Sequence, residues 1–221
     1  MATSVSHAKP IVFVVDDDIS VRESLELLVR CEGWEAETYA SAQEFLARSR
    51  SRVPSCLVLD VSLPGLSGLD LQKRLAVERT DMPIMFITGY GDVPTSVRAM
   101  KAGAVEFLTK PFKHSVLVDA IRESLDRSRL ANAREMELRT LWNRYASLTR
   151  RERQVMALVV SGLLNKQVGG ELGISEITVK AHRGQVMQKM QAQSLPDLVR
   201  IVERLSPDRA FDSQLQLRNC A

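Results

Sequence analysis

The stretch IVFVVDDD, residues 11–18, decides the fold of the first half of this chain. Five consecutive β-branched or aromatic residues predict a strand that is buried on both faces, as strands of a parallel sheet are. Three aspartates follow directly, so carboxylates lie where this strand ends. Ligands of doubly wound parallel sheets bind at the carboxyl ends of the strands, and these aspartates are therefore candidates for a functional site.

Four further runs of similar composition alternate with amphipathic stretches. The alternation predicts the α/β class and a (βα)5 doubly wound parallel sheet with crossover helices. The predicted strands are residues 11–15, 34–38, 56–59, 84–88 and 105–108. The predicted helices are residues 20–31, 42–49, 68–78 and 93–102, and a last one from 114 onward. Residues 34–38 (WEAET) alternate polar and apolar side chains and predict an edge strand, whereas the other four predict strands buried on both faces.

Length and composition favour two domains in a cytoplasmic protein. At 221 residues with 45% hydrophobic content, the chain can fill two modest cores and is not disordered. It has no apolar run of the roughly eighteen residues that a membrane span needs, and residues 1–10 lack the features of a secretory signal. Three cysteines, Cys31, Cys56 and Cys220, are too far apart for a metal site, and we expect Cys31 and Cys56 to be buried.

The charges are distributed unevenly along the chain. Residues 1–126 carry 14 basic and 18 acidic side chains, whereas residues 127–147 carry 5 and 2 and residues 148–206 carry 9 and 5. The acidic half favours a cation or a cationic partner, and the basic half favours a polyanion such as nucleic acid.

The second half of the chain is predicted to be helical throughout. From residue 115 the apolar spacing of a helix continues without Pro or Gly to at least Tyr145, which predicts a helical linker; the polar residues 126–129 (DRSR) leave a frayed hinge open. Four short helices are expected beyond it, at residues 150–161, 166–172, 176–190 and 195–205. The resulting segments are an α/β domain (9–127), a linker (128–147), a small all-α domain (148–206) and a flexible tail (207–221).

Five polar residues are expected to meet at the carboxyl ends of the strands. They are Asp16 and Asp17 after the first strand, Asp60 after the third, Thr88 at the end of the fourth and Lys110 after the fifth. Three converging carboxylates repel one another unless a cation is present, and Mg²⁺ prefers one or two carboxylates together with phosphate oxygens. A carboxylate can also attack phosphorus, and Asp60 lies nearest the centre. Helix capping explains such aspartates one at a time, but it needs no lysine.

These residues resemble the receiver domain of two-component response regulators over about residues 9–127. The resemblance is carried by VVDD (14–17), LD (59–60), LPGLSG (63–68), ITG (87–89) and LTKPF (108–112). It implies Asp60 as the phosphoacceptor of a sensor histidine kinase, with Thr88 and Lys110 binding the phosphoryl group and Thr88 and Phe107 forming the switch. It also implies a Mg²⁺ cofactor and a cis peptide bond before Pro111. The Mg²⁺ ligands would be Asp16, Asp17, Asp60 and the main-chain carbonyl of Ser62.

One enzyme class has a motif that competes with this interpretation. Residues 16–20 (DDDIS) come close to the DxDx[TV] motif of haloacid-dehalogenase-type phosphatases, which also form an aspartyl phosphate. Ser20 departs from that motif, and residues 91–96 (GDVPTS) end in serine where the family has a second aspartate. The chain is therefore not expected to be an enzyme.

Residues 148–205 predict a helix-turn-helix. Thr149 and Glu152 form a capping box before the first helix, and a glycine turn at Gly173 separates two later helices. On the helix 176–190, the residues Val179, Val186 and Met190 share one face, which we expect to join the core. The opposite face carries Ala181, Gly184 and Gln188, flanked by Lys180, Gln185 and Ile177.

This segment resembles the LuxR-type helix-turn-helix through residues 175–183 (SEITVKAHR) and 189–190. With the receiver, it indicates the FixJ/NarL class of response regulators. The expected DNA contacts are Lys180, Ala181 and Gly184 to bases, and Thr178, Lys166 and Arg183 to phosphates. Gly169 and Gly170 depart from the family's helix formers, at about 0.5–1 kcal/mol each.

The expected function is that of a transcription factor controlled by phosphorylation. A histidine kinase would phosphorylate Asp60, and the phosphorylated chain would form a homodimer on double-stranded promoter DNA, with RNA polymerase as a further partner and no membrane contact. A phosphate-independent receiver whose helical domain binds protein stays open as the alternative.

Overall fold

The computed structural model of the chain describes residues 9–48, 53–78 and 82–205. The chain divides into two compact units, Met1–Ala133 and Arg134–Ala221. The division falls inside the predicted linker, and the predicted segment boundaries stay a prediction. The predicted flexible tail and Cys220 lie outside the described residues. Among the helices of the described residues, none is both long enough and apolar enough to cross a membrane.

The first unit is built on the predicted five-stranded parallel sheet. Its strand order is β2-β1-β3-β4-β5, the order of flavodoxin-like folds. The bounds are β1 (Ile11–Val15), β2 (Glu35–Tyr39), β3 (Ser55–Asp60), β4 (Ile84–Thr88) and β5 (Glu106–Thr109). No bound differs from its prediction by more than one residue.

The sheet has β2 and β5 as its edge strands, and the sequence predicted only β2 correctly as an edge. β2 is an edge strand, as its alternating pattern indicates. The prediction that β5 is buried on both faces is wrong, because β5 forms the other edge and is only half-buried, with Thr109 exposed. The predicted range 105–108 is mostly apolar, but the observed strand has polar residues at both ends and pairs with β4 alone among the described strands.

In the described parts of the first unit, five helices cover the two faces of this sheet. They are α1 (Ile19–Cys31), α2 (Ala42–Ala47), α3 (Gly68–Glu78), α4 (Val93–Lys101) and α5 (His114–Ala146). Successive residues of a strand point to opposite faces, and β1 follows this rule. Phe13 packs with Phe45 of α2 and Leu71 of α3, whereas Val14 packs with Leu25 of α1 and Leu117 of α5.

The two described cysteines have different environments. Cys56 is fully buried in β3, as predicted. The prediction that Cys31 is buried is wrong, because its side chain is exposed at the end of α1. That helix buries Leu25 and Val29, and Cys31 lies about 200° around the helix from Val29, on its solvent face.

Helix α5 runs through 33 residues without interruption. The frayed hinge at residues 126–129 is therefore contradicted, and the reason is a tertiary contact. The side chain of Ser128 is buried, and its hydroxyl accepts a hydrogen bond from the backbone N–H of Ser55 at 3.0 Å. The polar residue that suggested a hinge anchors the helix to the start of β3.

Up to residue 205, where the described part of the chain ends, the second unit contains the end of α5 and four shorter helices. They are α6 (Arg150–Val160), α7 (Asn165–Leu172), α8 (Glu176–Met190) and α9 (Leu195–Leu205). Val179, Val186 and Met190 of α8 are buried, as predicted: Val179 packs with α6 and α7, and the other two pack with α6 and α9.

The predicted capping box at the start of α6 is present and is joined to α8 by an ion pair. Thr149 accepts a hydrogen bond from the Glu152 N–H, and the Glu152 carboxylate accepts one from the Thr149 N–H. The Lys189 ammonium lies 2.7 Å from the same carboxylate. Hydrogen bonding from Lys189 holds the pKa of Glu152 below its usual value, so the pair is formed at neutral pH.

The paired glycines of α7 have different environments. A Cβ on Gly169 would lie 2.7 Å from the Ile174 carbonyl oxygen, which is closer than real Cβ contacts. Gly169 therefore allows the turn after α7 to fold back against the helix, and the Ile174 N–H donates to its carbonyl. Gly170 has open space around the same position, and nothing in the structure explains it.

Replacing Ser128 by alanine is expected to lower the free energy of unfolding by about 1–3 kcal/mol, because the buried Ser55 N–H loses its partner. Ser124 provides the matched control, since its buried hydroxyl, one helical turn earlier, has no hydrogen-bond partner among the described residues. Ser124→Ala should not destabilise the chain. Urea unfolding followed by circular dichroism measures both, and equal effects would contradict the anchoring contact.

The two glycines of α7 should respond in opposite directions to the same change. Gly170→Ala is expected to stabilise the second unit by about 0.5–1 kcal/mol through helix propensity. Gly169→Ala is expected to destabilise it by about 1–3 kcal/mol, because the added methyl group overpacks the turn. Thermal unfolding of the full chain distinguishes them; stabilisation by both changes would show that the turn is not tightly packed.

Candidate functional site

The predicted carboxylates meet at one edge of the sheet. Because β1 and β3 are neighbours, their carboxyl ends place Asp16, Asp17 and Asp60 side by side. One carboxylate oxygen from each residue lies within 4.8 Å of those from the other two. Asp16 and Asp60 are buried, and Asp17 faces solvent.

Lys110 supplies a positive charge to this cluster. Its ammonium group donates to Asp16 Oδ2 at 2.6 Å and lies 4.0 Å from Asp60 Oδ1. The residue follows β5, two strands away from β3 in the sheet, and the peptide bond between it and Pro111 is cis, as the resemblance implies.

Asp60 differs from Asp16 in having a buried carboxylate oxygen, Oδ1, without a hydrogen-bond partner among the described residues. Asp16 accepts hydrogen bonds on both oxygens, from the Asp18 N–H at 3.0 Å and from Lys110. Burial raises the pKa of Asp60, the charges of Asp16 and Asp17 raise it further, and the Lys110 ammonium opposes them.

The donor set fits a small, hard divalent cation. Three carboxylates lie together at this edge of the sheet, and the buried Asp60 Oδ1 can accept a further partner. Mg²⁺ binds through one or two carboxylates and retains several water molecules, and an exposed ligand such as Asp17 suits a partly hydrated ion. Ser62 lies in the exposed loop directly after β3, at the same edge.

Gly68 explains why this loop returns so closely to Asp60. A Cβ at Gly68 would clash with the Asp60 carbonyl, and the Gly68 N–H donates to the Val61 carbonyl at 3.0 Å. The start of α3 is thus packed against the end of β3. Gly68 belongs to the LPGLSG motif, but sequence reasoning assigned it no role.

Thr88 and Phe107 lie on the neighbouring strands. Thr88 is fully buried at the end of β4, and its hydroxyl accepts a hydrogen bond from the Tyr90 N–H at 3.2 Å. Phe107 of β5 is half-buried, with its ring centroid 6.1 Å from that of Phe86. In this structure the Thr88 hydroxyl is therefore bonded to the β4–α4 loop.

Gly91 lets that loop pack against β5. A side chain at Gly91 would clash with the methyl group of Thr109 and would lie 3.3 Å from Phe107 Cε1. The next residue, Asp92, caps α4 by accepting a hydrogen bond from the Thr95 N–H at 2.7 Å. The segment GDVPTS (91–96) thus has a structural role, and Gly91 is a residue that sequence reasoning missed.

Helices α7 and α8 form the predicted helix-turn-helix. Gly173 ends α7 in the left-handed region, with φ at 64°. The Ser175 hydroxyl caps α8 by accepting a hydrogen bond from the Thr178 N–H. The hydroxyl oxygens of Ser175 and Thr178 lie 2.8 Å apart.

The outer face of α8 is open to solvent. Lys180 is exposed, and its ammonium nitrogen lies 3.3 Å from the Glu176 carboxylate. Thr178, in the first turn of α8, is also exposed. The face includes every residue that the sequence analysis placed there: Ile177, Lys180, Ala181, Gly184, Gln185 and Gln188.

The two remaining predicted contact residues lie beside this face. Lys166 is exposed on the first turn of α7. Arg183 is half-buried and donates to the side-chain oxygen of Asn165 at 3.2 Å, which ties the middle of α8 to the start of α7.

Comparison with known proteins gives two family matches that together span most of the chain. Residues 12–122 match the response regulator receiver domain, and residues 146–202 match the luxR family of bacterial regulatory proteins. Nodulation protein W of Bradyrhizobium diazoefficiens is 50% identical over 212 residues, which cover 96% of this chain and 93% of that protein. Transcriptional regulatory protein FixJ of Azorhizobium caulinodans is 44% identical over 86% of this chain and 90% of that protein.

The solved structures agree with these matches. The structure of response regulator StyR is 51% identical in sequence, covers 89% of this chain and all of that one, and superimposes with a TM-score of 0.80. The receiver fold, the acidic edge with its lysine and the helix-turn-helix are all present in the order that the family requires. This chain belongs to the FixJ-like response regulators, in which a receiver domain precedes a LuxR-type DNA-binding domain.

Proposed function

We propose that a sensor histidine kinase phosphorylates Asp60 and that this modification controls binding of the second unit to promoter DNA. The observation that carries the proposal is the buried Asp60 Oδ1, which has no hydrogen-bond partner among the described residues and lies 4.0 Å from Lys110. A structural carboxylate would be satisfied there, whereas a nucleophile needs an available oxygen.

The chemistry follows from the positions of the side chains. An oxygen of Asp60 attacks phosphorus, an O–P bond forms, and the N–P bond of the kinase phosphohistidine breaks. Asp16, Asp17, Asp60 and the carbonyl of Ser62 would hold Mg²⁺, which when bound neutralises charge on the phosphoryl oxygens. Lys110, already within 4.0 Å of Asp60, forms an ion pair with the phosphoryl group.

The switch begins with a change of partner for Thr88. A phosphoryl group adds about two negative charges at pH 7, and the Thr88 hydroxyl leaves the Tyr90 backbone to donate to a phosphoryl oxygen. The β4–α4 loop then moves, and Phe107, which lies against Gly91 in that loop, changes rotamer. The surface of α4, β5 and α5 repacks and becomes the homodimer contact.

DNA binding uses the outer face of α8. Lys180, Ala181 and Gly184 face the bases, and Thr178, Lys166 and Arg183 face phosphates. Two such units in a homodimer bind neighbouring half-sites at a raised effective concentration. The bound dimer contacts RNA polymerase, and the protein acts in the cytoplasm, where a bacterial promoter lies. The chain is not an enzyme in this proposal, because its own Asp60 is the group modified.

The phosphoacceptor is tested by Asp60→Asn. This change should abolish incorporation of radiolabel from a small-molecule phosphodonor in the presence of Mg²⁺, because an amide cannot act as the nucleophile. Asp119→Asn, which alters an exposed aspartate on α5, should label like the parent chain. Label retained on the Asp60→Asn protein would contradict the assignment.

The DNA contacts are tested by the dependence of affinity on salt. A plot of the logarithm of affinity for a duplex against the logarithm of salt concentration should have a steep negative slope. Lys166→Ala should make this slope shallower by about one unit. Lys73→Ala, on the exposed surface of the first unit, serves as the control and should leave the slope unchanged. A flat response of the parent chain would instead support the alternative, a phosphate-independent receiver whose helical domain binds protein.

A further inference from the structure

Ile177 is an apolar side chain in an unusual position. It is 79% exposed, and it occupies the second residue of α8. Single exposed apolar residues are common on protein surfaces and need no special explanation. The position of Ile177 relative to the rest of α8 is what gives it a role.

Ile177 points outward on the open face, at its N-terminal end. It is about 200° around the helix from Val179, whose side chain is fully buried, so it points away from the core. Ala181 follows four residues later, and side chains at that spacing are neighbours on a helix surface. Gly184 continues the face with no side chain at all. The first turns of this face are therefore apolar.

Few polar groups accompany these apolar residues in the first turns of α8. Lys180 is the one cation that the sequence places on this face, and it is already paired with Glu176 at 3.3 Å. The Thr178 hydroxyl is 2.8 Å from that of Ser175. Beside the hydrogen bonds that Lys180 can donate, apolar contact is therefore the other means by which these turns can discriminate sequence.

The charge of the second unit indicates what covers this face. Residues 148–206 carry 9 basic and 5 acidic side chains, which favours a polyanion over an apolar protein surface. The first turns of the second helix in a helix-turn-helix contact base edges in the major groove. The one apolar group that base pairs present there is the C5 methyl group of thymine.

We propose that Ile177, together with Ala181, selects thymine by contact with its C5 methyl group and is a specificity-determining residue of this regulator. The inference rests on the proposed DNA binding. It adds a residue and a base to that function: the DNA site should contain thymine at the position that faces Ile177.

The test uses the full chain with Mg²⁺ and a phosphodonor. A bound sequence is first selected from a pool of random duplexes, and each of its thymines is then replaced singly by deoxyuridine, which lacks only the methyl group. Affinity of the parent chain should fall about fourfold at one thymine of each half-site, as expected for the loss of one buried methyl-sized contact.

The same series with Ile177→Ala locates the contact. At that thymine the mutant should lose most of the fourfold preference, because Ala181 alone provides only a small apolar contact, while its salt dependence stays that of the parent chain. Met136→Ala, which alters an exposed apolar residue on α5, should keep the fourfold preference. If Ile177→Ala keeps the preference as well, Ile177 does not contact the methyl group and the inference is overturned.

Two further results would also overturn it. If no thymine of the selected duplex is sensitive, apolar selection does not operate. If Ile177→Ala binds every duplex like the parent chain but loses transcriptional activation, the residue contacts protein instead. Failure of the parent chain to bind any duplex at low salt is a different result, because it contradicts the proposed DNA binding itself.

Discussion

The balance of charge at the carboxyl ends of β1 and β3 is the constraint on which the first unit depends. Three carboxylates converge there within 4.8 Å, and like charges at that distance oppose ionisation. The Lys110 ammonium relieves part of the repulsion between the carboxylates. It donates a hydrogen bond to Asp16, however, and its nitrogen lies 4.0 Å from Asp60 Oδ1. The arrangement is thus short of positive charge at the residue that we propose as phosphoacceptor, which is where a cation would act.

Two glycines connect this charge cluster to the rest of the fold. Gly68 brings the start of α3 against the Asp60 carbonyl, and Gly91 brings the β4–α4 loop against β5. Both positions exclude a Cβ because other atoms occupy its place. The β4–α4 loop is hydrogen-bonded to the Thr88 hydroxyl and packs on Phe107. A displacement of the Thr88 hydroxyl therefore affects the packing of Phe107, and the reverse also holds.

The second unit separates its stabilising contacts from its open face. Val179, Val186 and Met190 hold α8 to its neighbours, and the buried Glu152 with Lys189 joins α8 to the cap of α6. None of these residues is on the outer face, so side chains there can vary without loss of the core. The acidic edge of the first unit and the basic second unit thus carry two different chemistries in one chain.

The sequence alone was sufficient to predict the doubly wound parallel sheet and the core face of α8. It was also sufficient to predict that Asp16, Asp17, Asp60 and Lys110 converge. Those features follow from local periodicity and from the rule that parallel strands end at one edge. It was insufficient wherever a distant contact decides the outcome. β5 is an edge strand and Ser128 anchors a continuous helix because of partners far along the chain, and Gly169 fits a close turn whose packing no local pattern specifies. The exposure of Cys31, by contrast, follows from helix periodicity once Leu25 and Val29 face the core.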